Sequence, residues 1–116
     1  MSVRRIGAGA RMSQAVVAAG LVHVSGQVAE GETVAEQTQG CLGRIDRLLA
    51  EAGTKKENAV SATIWLADIA EFDAMNAVWD AWVAPSHPPA RATIEARLAR
   101  PEFRVEIALV AAVGSE

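Results

Sequence analysis

The sequence predicts an α+β fold in which two helices cover one face of a mixed β-sheet. Apolar residues recur at helical spacing in two stretches, residues 34–52 and 72–83. Short apolar or alternating runs, typical of strands, lie before, between and after them, so the predicted order is ββ-α-β-α-ββ. A chain of 116 residues, 51% of them hydrophobic, has the size of one domain with one core, and we expect a single domain over residues 1–116.

The first half of the chain predicts a hairpin followed by the longer helix. Ala19-Gly20 separates two short apolar runs, which is typical of a tight turn between antiparallel strands. Gly26, after the second run, marks a β-bulge or a close approach of another group to the backbone. Thr33 and Glu36 form a capping-box pattern in front of the helical stripe, and Gly53 is placed to end that helix.

The second half predicts a strand, the shorter helix and two further strands. Residues 59–67 read as a strand with alternating faces, and Asp68 can cap the helix that follows. The last strand, residues 104–113, is apolar on both faces, as expected of a central strand covered on both sides. Because the sequence contains no third layer, we expect neighbouring subunits to cover the sheet face that includes Trp65.

The strand before the last one follows a stiff loop, Ser86-His87-Pro88-Pro89. Alternation predicts that Ala92 and Ile94 point to the core, whereas Arg91 and Thr93 point the other way. The planar guanidinium of Arg91 suits bidentate capture of a carboxylate, although an exposed arginine at a strand end is the plainer interpretation. Thr93 could hydrogen-bond the same ligand, or it is an ordinary strand threonine.

Glu106 is a carboxylate on one face of the apolar last strand. It follows Arg91 by fifteen residues, enough for one strand, a short turn and the start of a second, so we expect the two side chains to form a minimal site. One would bind an anionic substrate and the other would handle protons or water. A buried carboxylate is costly unless paired, so a structural ion pair with Arg91, Arg97 or Arg104 is the alternative. Ser25-Gly26-Gln27, a hydroxyl and an amide at a strand end, is a weaker candidate that a simple turn also explains.

Composition argues against several classes of function. The net charge of −3 and the pI of about 5.4 disfavour nucleic acid as a partner. The lone Cys41, on the apolar stripe of the first helix, predicts a core residue in a protein of the reducing cytoplasm. The N-terminus lacks a signal-peptide pattern, and no apolar run approaches the roughly 18 residues that span a bilayer, so we expect no membrane partner. His23, His87 and Cys41 are too widely spaced to predict a metal site.

Six pieces of the chain occur together in an order that resembles the RidA/YjgF family along nearly the whole length. They are Ser13-Gln14-Ala15, Val24-Ser25-Gly26-Gln27, Glu36-Gln37-Thr38, the region from Asp68 to Asn76, Pro89-Ala90-Arg91 and Val105-Glu106-Ile107. The resemblance implies a fold like that of the small trimeric chorismate mutases. In such a fold three subunits surround a central β-barrel, and ligand clefts lie between neighbours.

The resemblance also implies an activity, the hydrolytic deamination of reactive enamine or imine intermediates such as 2-aminoacrylate to a 2-oxo acid and ammonia. Arg91 matches the family arginine that binds the substrate carboxylate, and Glu106 matches the glutamate that orients or activates water. Ser25 and Gly26 match the strand-end lining of the cleft. No cofactor and no metal are implied.

Two positions depart from the family pattern. Met12 stands where many active members have a tyrosine, and Thr93 stands where several have a cysteine. Both changes fall in the implied ligand cleft and indicate a bulkier or less polar ligand. The alternative function is a non-catalytic trimeric sensor that binds 2-oxo acids or related small carboxylates through Arg91. RNA cleavage, a further role attached to the family, is disfavoured by the acidic charge.

Overall fold

A six-stranded mixed sheet and two α-helices make up the regular structure of the computed structural model, which describes residues 2–114. The elements are β1 (Val3–Ile6), β2 (Ala15–Ala18), β3 (Leu21–Gln27), α1 (Val34–Glu51), β4 (Ala59–Leu66), α2 (Phe72–Trp82), β5 (Ala90–Glu95) and β6 (Val105–Ala112). Short 3-10 turns precede β4 and α2. The strand order is β1-β2-β3-β6-β4-β5, in which only β4 and β5 run parallel.

The predicted hairpin is confirmed as β2 and β3. Ala19 and Gly20 form its turn with φ values of 54° and 81°, the left-handed conformations that a two-residue hairpin turn requires. The strand β1 was not predicted. It pairs antiparallel with β2 at the edge of the sheet, and its first three residues are exposed.

Local capping chemistry places α1 as the sequence predicts. The backbone N–H of Glu36 donates to Thr33 Oγ1 at 3.1 Å, and Glu36 Oε1 accepts from the backbone N–H of Glu32 at 2.8 Å. The carboxylate thus reaches one residue before the cap. Gly53, with a φ of 85°, follows the end of the helix.

Both helices lie on one face of the sheet, which confirms that part of the predicted architecture. In the central strand β6, alternate side chains are buried beneath the helices, namely Val105, Ile107, Leu109 and Ala111. The opposite face carries half-buried residues, among them Trp65, Ala108 and Val110. The sheet is open, with β1 and β5 as its edges. No helix within residues 2–114 is long and apolar enough to span a membrane.

The facing of β5 is the reverse of the prediction. Arg91 and Thr93 lie on the helix side, in register with the buried Ala62 and Ile64 of β4. Ile94 lies on the other face and is 45% exposed. The prediction assumed that the apolar side chains of this strand seek the core. Instead the arginine packs against aromatic rings of α2, and the apolar side chains are left on the open face.

Candidate functional site

Glu106 lies on the open face of the sheet, at the centre. It pairs in register with Trp65 of β4, and on its other side its carboxylate lies over Gly26 of β3. A Cβ atom on Gly26 would overlap Glu106 Oε2 and stand 2.8 Å from Glu106 Cδ, so a side chain here would displace the carboxylate from this position. The register of β3 shifts between Val24 and Gln27, which confirms both the predicted bulge and the close approach at Gly26.

The Glu106 carboxylate occupies the space above Gly26 and has no hydrogen-bond donor in the described residues. Within residues 2–114 no donor makes a hydrogen bond to it, and no cation lies within 4.0 Å of it. The predicted structural ion pair is therefore not seen in this part of the chain. Arg104 instead donates from Nη1 to Glu71 Oε2 at 3.0 Å, and Arg91 hydrogen-bonds to a neutral residue. A half-buried carboxylate with free lone pairs can accept a proton or orient a water molecule.

Ser25, beside Gly26, is fixed by a buried amide. Gln27 Nε2 lies 3.1 Å from three acceptors that share its two N–H groups, namely Ser25 Oγ, the Ser25 carbonyl and Gln14 Oε1, and Gln27 is only 4% exposed. The backbone N–H of Ser25 donates to the Gln14 carbonyl at 2.9 Å. These hydrogen bonds position the Ser25 hydroxyl at the end of β3, where the chain is a strand and not the simple turn of the alternative interpretation.

Cys41 lies beneath this part of the sheet and is fully buried, as predicted. Its thiol donates to the Gln27 carbonyl at 3.2 Å. Burial raises the pKa of the Cys41 thiol from 9.0 to about 12; the negative charge of Glu106 adds to this, and Arg44 opposes it. The thiol therefore stays protonated at neutral pH and cannot act as a nucleophile.

Arg91 contacts three side chains on one face of α2. Its Nη1 donates to Asn76 Oδ1 at 2.7 Å, and its Cζ lies 5.2 Å from the ring centroid of Trp79 and 5.8 Å from that of Phe72. These are cation–π distances, which stabilise a guanidinium on an aromatic surface. Arg91 is half-buried, so the plain interpretation of an exposed arginine does not describe it.

Thr93 follows Arg91 on the same side of β5, and its hydroxyl oxygen is buried. Thr93 Oγ1 has no hydrogen-bond partner in the described part of the chain. Met12 lies in the connection between β1 and β2, and 49% of it is exposed. Its carbonyl accepts from the backbone N–H of Gly9 at 2.8 Å, which orders this loop and leaves the thioether at the surface.

Arg91 and Glu106 do not meet within one chain, so the minimal site expected from their fifteen-residue spacing is not formed there. The strand β4 lies between β5 and β6, which separates the two residues laterally by two strand spacings, about 10 Å. Their partners in β4, Ala62 and Trp65, are three residues apart, which adds about 10 Å along the strands. They also point to opposite faces of the sheet. The spacing argument assumed that consecutive strands are neighbours, and here they are not.

Three residues of the Arg91 environment were not predicted as site residues, namely Phe72, Asn76 and Trp79. Phe72 and Trp79 belong to the apolar pattern that predicts the second helix, residues 72–83, and Asn76 is the last residue of one of the six matching pieces. Their spacing of four and three residues places them on one helix face, and this signal could have found them.

Other features of the surface lie apart from these residues. A cavity of about 750 Å³ lies beneath the connection from β5 to β6, lined mainly by residues 95–101 with Ala67 and Phe103, and none of the predicted site residues lines it. In the described range, residues 2–114, no group of three or more His, Cys, Asp or Glu side chains could hold a metal ion.

The chain is similar to proteins of one family over its whole length. A family model described as Endoribonuclease L-PSP matches residues 2–113. The RutC family protein YoaB of Escherichia coli is 42% identical over 114 residues, which cover 97% of this chain and 100% of that protein. A crystal structure of a YjgF family member from Neisseria meningitidis is 50% identical, with a TM-score of 0.98 and coverage of 100% of this chain and 98% of that one. A member of the YjgF/YER057c/UK114 family from Mycobacterium tuberculosis is 28% identical, with a TM-score of 0.90 and coverage of 97% and 100%.

Proposed function

The chain belongs to the family of YjgF, RutC and L-PSP proteins, and on that premise we propose that it hydrolyses reactive enamine or imine acids to 2-oxo acids and ammonia. The observation that carries the proposal is the pair of unsatisfied groups in the chain. In the described residues, Arg91 uses one of its five N–H donors, in the hydrogen bond to Asn76, and the Glu106 carboxylate has no protein donor. The guanidinium of Arg91 can bind the carboxylate of such a substrate, and the carboxylate of Glu106 can orient water towards its reacting carbon.

The reaction needs few groups. Protonation of the enamine at carbon gives an iminium ion, and water adds to the iminium carbon while the carboxylate of Glu106 accepts a proton from that water. In the resulting carbinolamine, protonated Glu106 returns its proton to the amino nitrogen and the carbon–nitrogen bond breaks to release ammonia. The hydroxyl proton passes to solvent as the carbonyl of the 2-oxo acid forms, which balances the proton that solvent supplies to the enamine carbon. Arg91 neutralises the substrate carboxylate and fixes the position of the carbon. Ser25, Gly26, Met12 and Thr93 are the proposed lining of the cleft, and no cofactor takes part.

We place the complete site between subunits of a homotrimer whose sheets close a central barrel. Two observations support this placement. Arg91 and Glu106 lie on opposite faces of one sheet, so only a second copy can bring the two kinds of group together. The open face also carries half-buried and exposed apolar side chains, among them Trp65, Val110 and Ile94, which subunit contacts would cover.

The test supplies 2-aminoacrylate or 2-iminobutyrate from a dehydratase or an amino-acid oxidase and times the release of the 2-oxo acid. The wild-type chain should accelerate release, and Arg91→Ala should abolish the acceleration. Arg97→Ala is a matched control, because Arg97 is an exposed arginine of the β5–β6 connection and is no part of the proposed site. Release at the uncatalysed rate with wild type, or equal acceleration by Arg91→Ala, would refute the deaminase.

A sensor of 2-oxo acids is the second candidate, and Met12 favours it. An exposed thioether supplies no strong hydrogen bond where a phenol would. Calorimetry with 2-oxobutyrate separates the two functions, since binding without imine turnover supports the sensor. The net charge of −3 gives no support to a nucleic-acid partner. The single cysteine, Cys41, is a free thiol, which suits a reducing compartment, and we propose the cytoplasm as the site of action.

A further inference from the structure

We propose that Asn76 is a positioning residue for Arg91, and that the neutrality of its amide is what leaves the guanidinium charge available to the substrate. The proposal rests on the proposed function, because it concerns how the carboxylate is bound. It adds a role for a residue of α2 that is neither the anion-binding group nor the proton acceptor.

Three side chains on one face of α2 together hold Arg91 and are called the grip, namely Phe72, Asn76 and Trp79. Asn76 follows Phe72 by one helical turn and precedes Trp79 by almost another, so all three lie on the α2 face that meets β5. The two rings lie 5.8 and 5.2 Å from Arg91 Cζ, and Asn76 Oδ1 accepts from Nη1 at 2.7 Å. The rings limit where the guanidinium lies, and the single hydrogen bond sets its rotation.

Most N–H donors of the Arg91 side chain have no protein partner within residues 2–114. A guanidinium has five N–H donors in a rigid fork, and one of them is given to Asn76. No other hydrogen bond from the Arg91 side chain is made within residues 2–114. An arginine held by one donor keeps a bidentate edge for a carboxylate, and much of its rotamer freedom is already lost before the ligand arrives.

The acceptor that holds Arg91 carries no charge. Asn76 binds Arg91 through an amide oxygen, and the other contacts are aromatic rings, so the grip itself leaves the positive charge of Arg91 uncompensated. A carboxylate at position 76 would make a charge-assisted pair with Arg91 and would repel an incoming anion. The grip therefore has to be neutral for the arginine to be both fixed and receptive.

The grip is anchored in the rest of the fold. Trp79, 5% exposed, packs against Trp82 with ring centroids 5.3 Å apart. The indole N–H of Trp82 donates to both carboxylate oxygens of Asp46 in α1 at 3.1 Å. A series of contacts thus runs from α1 to the ring beneath Arg91, which makes α2 a firm support for the arginine.

The experiment compares Asn76→Asp with Asn76→Ala in the assembled protein, using 2-oxobutyrate in calorimetry and imine hydrolysis in kinetics. Asn76→Ala removes one hydrogen bond and should weaken binding about 3- to 10-fold. Asn76→Asp retains the shape but adds a competing charge, and should weaken binding by at least about 30-fold. In hydrolysis the loss should appear in KM, with kcat changed less. Asn58→Asp is the matched control, because within residues 2–114 this exposed side-chain amide hydrogen-bonds only to Thr54 Oγ1. The variant should bind 2-oxobutyrate as wild type does.

The relative affinities of Asn76→Asp and Asn76→Ala for 2-oxobutyrate distinguish a positioning role from a merely structural one. If Asn76 were merely structural, the isosteric aspartate would be milder than the alanine, so an Asn76→Asp protein that binds as well as Asn76→Ala overturns the proposal. A crystal structure of Asn76→Ala gives a second decision that needs no ligand. The Arg91 guanidinium should rotate away from the orientation that the hydrogen bond to Asn76 sets, and an unmoved guanidinium overturns the proposal. Failure of wild type to bind 2-oxobutyrate or to hydrolyse imines would count against the proposed function, and the crystal structure would still decide the role of Asn76.

Discussion

The two halves of the proposed site differ in how far a single chain completes them. On the Arg91 side, α2 supplies a hydrogen bond and two aromatic rings, which hold the proposed anion-binding group in the absence of a ligand. On the Glu106 side, the chain supplies only the space above Gly26, and the carboxylate has no donor within the described residues. In the proposed trimer, anion recognition would be built within one subunit, whereas a neighbour would complete the surroundings of Glu106.

The largest expected effect comes from separating the two halves onto different chains. Arg91→Ala and Glu106→Gln should each lower imine hydrolysis by at least about 100-fold. The two variants are unfolded together in equal amounts and refolded, and random trimers should then recover about a quarter of wild-type activity. A cleft is active only when the subunit that supplies Arg91 and the neighbour that supplies Glu106 both carry the intact residue, and each does so about half of the time. The measurement is kcat per chain in the mixture.

A mixture that stays as inactive as its components would show that both residues must come from one chain, or that the assembly does not exchange. Mass spectrometry of the refolded sample distinguishes these outcomes, because it counts hetero-oligomers directly. A sample that contains hetero-oligomers and has no activity contradicts the intersubunit site.

The next effect tests the space above Gly26. In Gly26→Ala the new Cβ would overlap the Glu106 carboxylate, which is the flexible end of its side chain and can swing away. We expect kcat to fall about 10- to 100-fold through misplacement of the carboxylate, with a small change in 2-oxobutyrate binding. Gly43→Ala is the control, because nothing lies within 4 Å of a Cβ there, and helix propensity should stabilise it by about 1 kcal/mol. An unchanged kcat in Gly26→Ala would contradict the role given to Glu106.

Local chemistry explains which parts of the fold could be predicted. The turn at Ala19-Gly20, the cap at Thr33 and the central strand β6 depend on residues close in sequence, and all three are confirmed. The strand β1 lacked such a signal, because it has four residues, two of them arginines, and lies at an exposed edge. The insertion of β6 between β3 and β4 is a tertiary arrangement that no local pattern encodes.

The same limit applies to the site. Arg91 and Glu106 stand out in the sequence because a charge among apolar neighbours is conspicuous. The direction in which Arg91 points does not follow from periodicity, since alternation groups residues by face but does not say which face meets the helices. A strand whose apolar side, with Ile94, is left open misleads any prediction that assumes a single buried face.

Cys41, which is buried beneath the sheet on the side opposite Glu106, should make the stability of the fold depend on pH. Because the pKa of the thiol is about 12 in the folded chain and 9.0 ordinarily, the unfolded chain loses this proton first. The stabilising contribution is complete below pH 9 and is lost as the pH rises towards 12, at up to about 1.4 kcal/mol per pH unit. Urea unfolding at pH 8 and pH 10 should therefore show a steeper loss of stability in wild type than in Cys41→Ala. Equal losses in the two proteins would mean that the thiol is less buried than it is here.

The smallest effect is expected on the Arg91 side, at Thr93. Its hydroxyl oxygen is buried without a partner in the described chain, and an unsatisfied buried polar group destabilises the folded state. Thr93→Val retains the shape and removes that group, so the free energy of unfolding should rise by about 1 kcal/mol. If the completed cleft leaves this oxygen shielded, 2-oxobutyrate should bind to the variant as it does to wild type. A tenfold loss of affinity would instead show that the hydroxyl donates to the ligand. The Arg91 side would then resemble the Glu106 side, with a polar group that the single chain leaves open for its ligand.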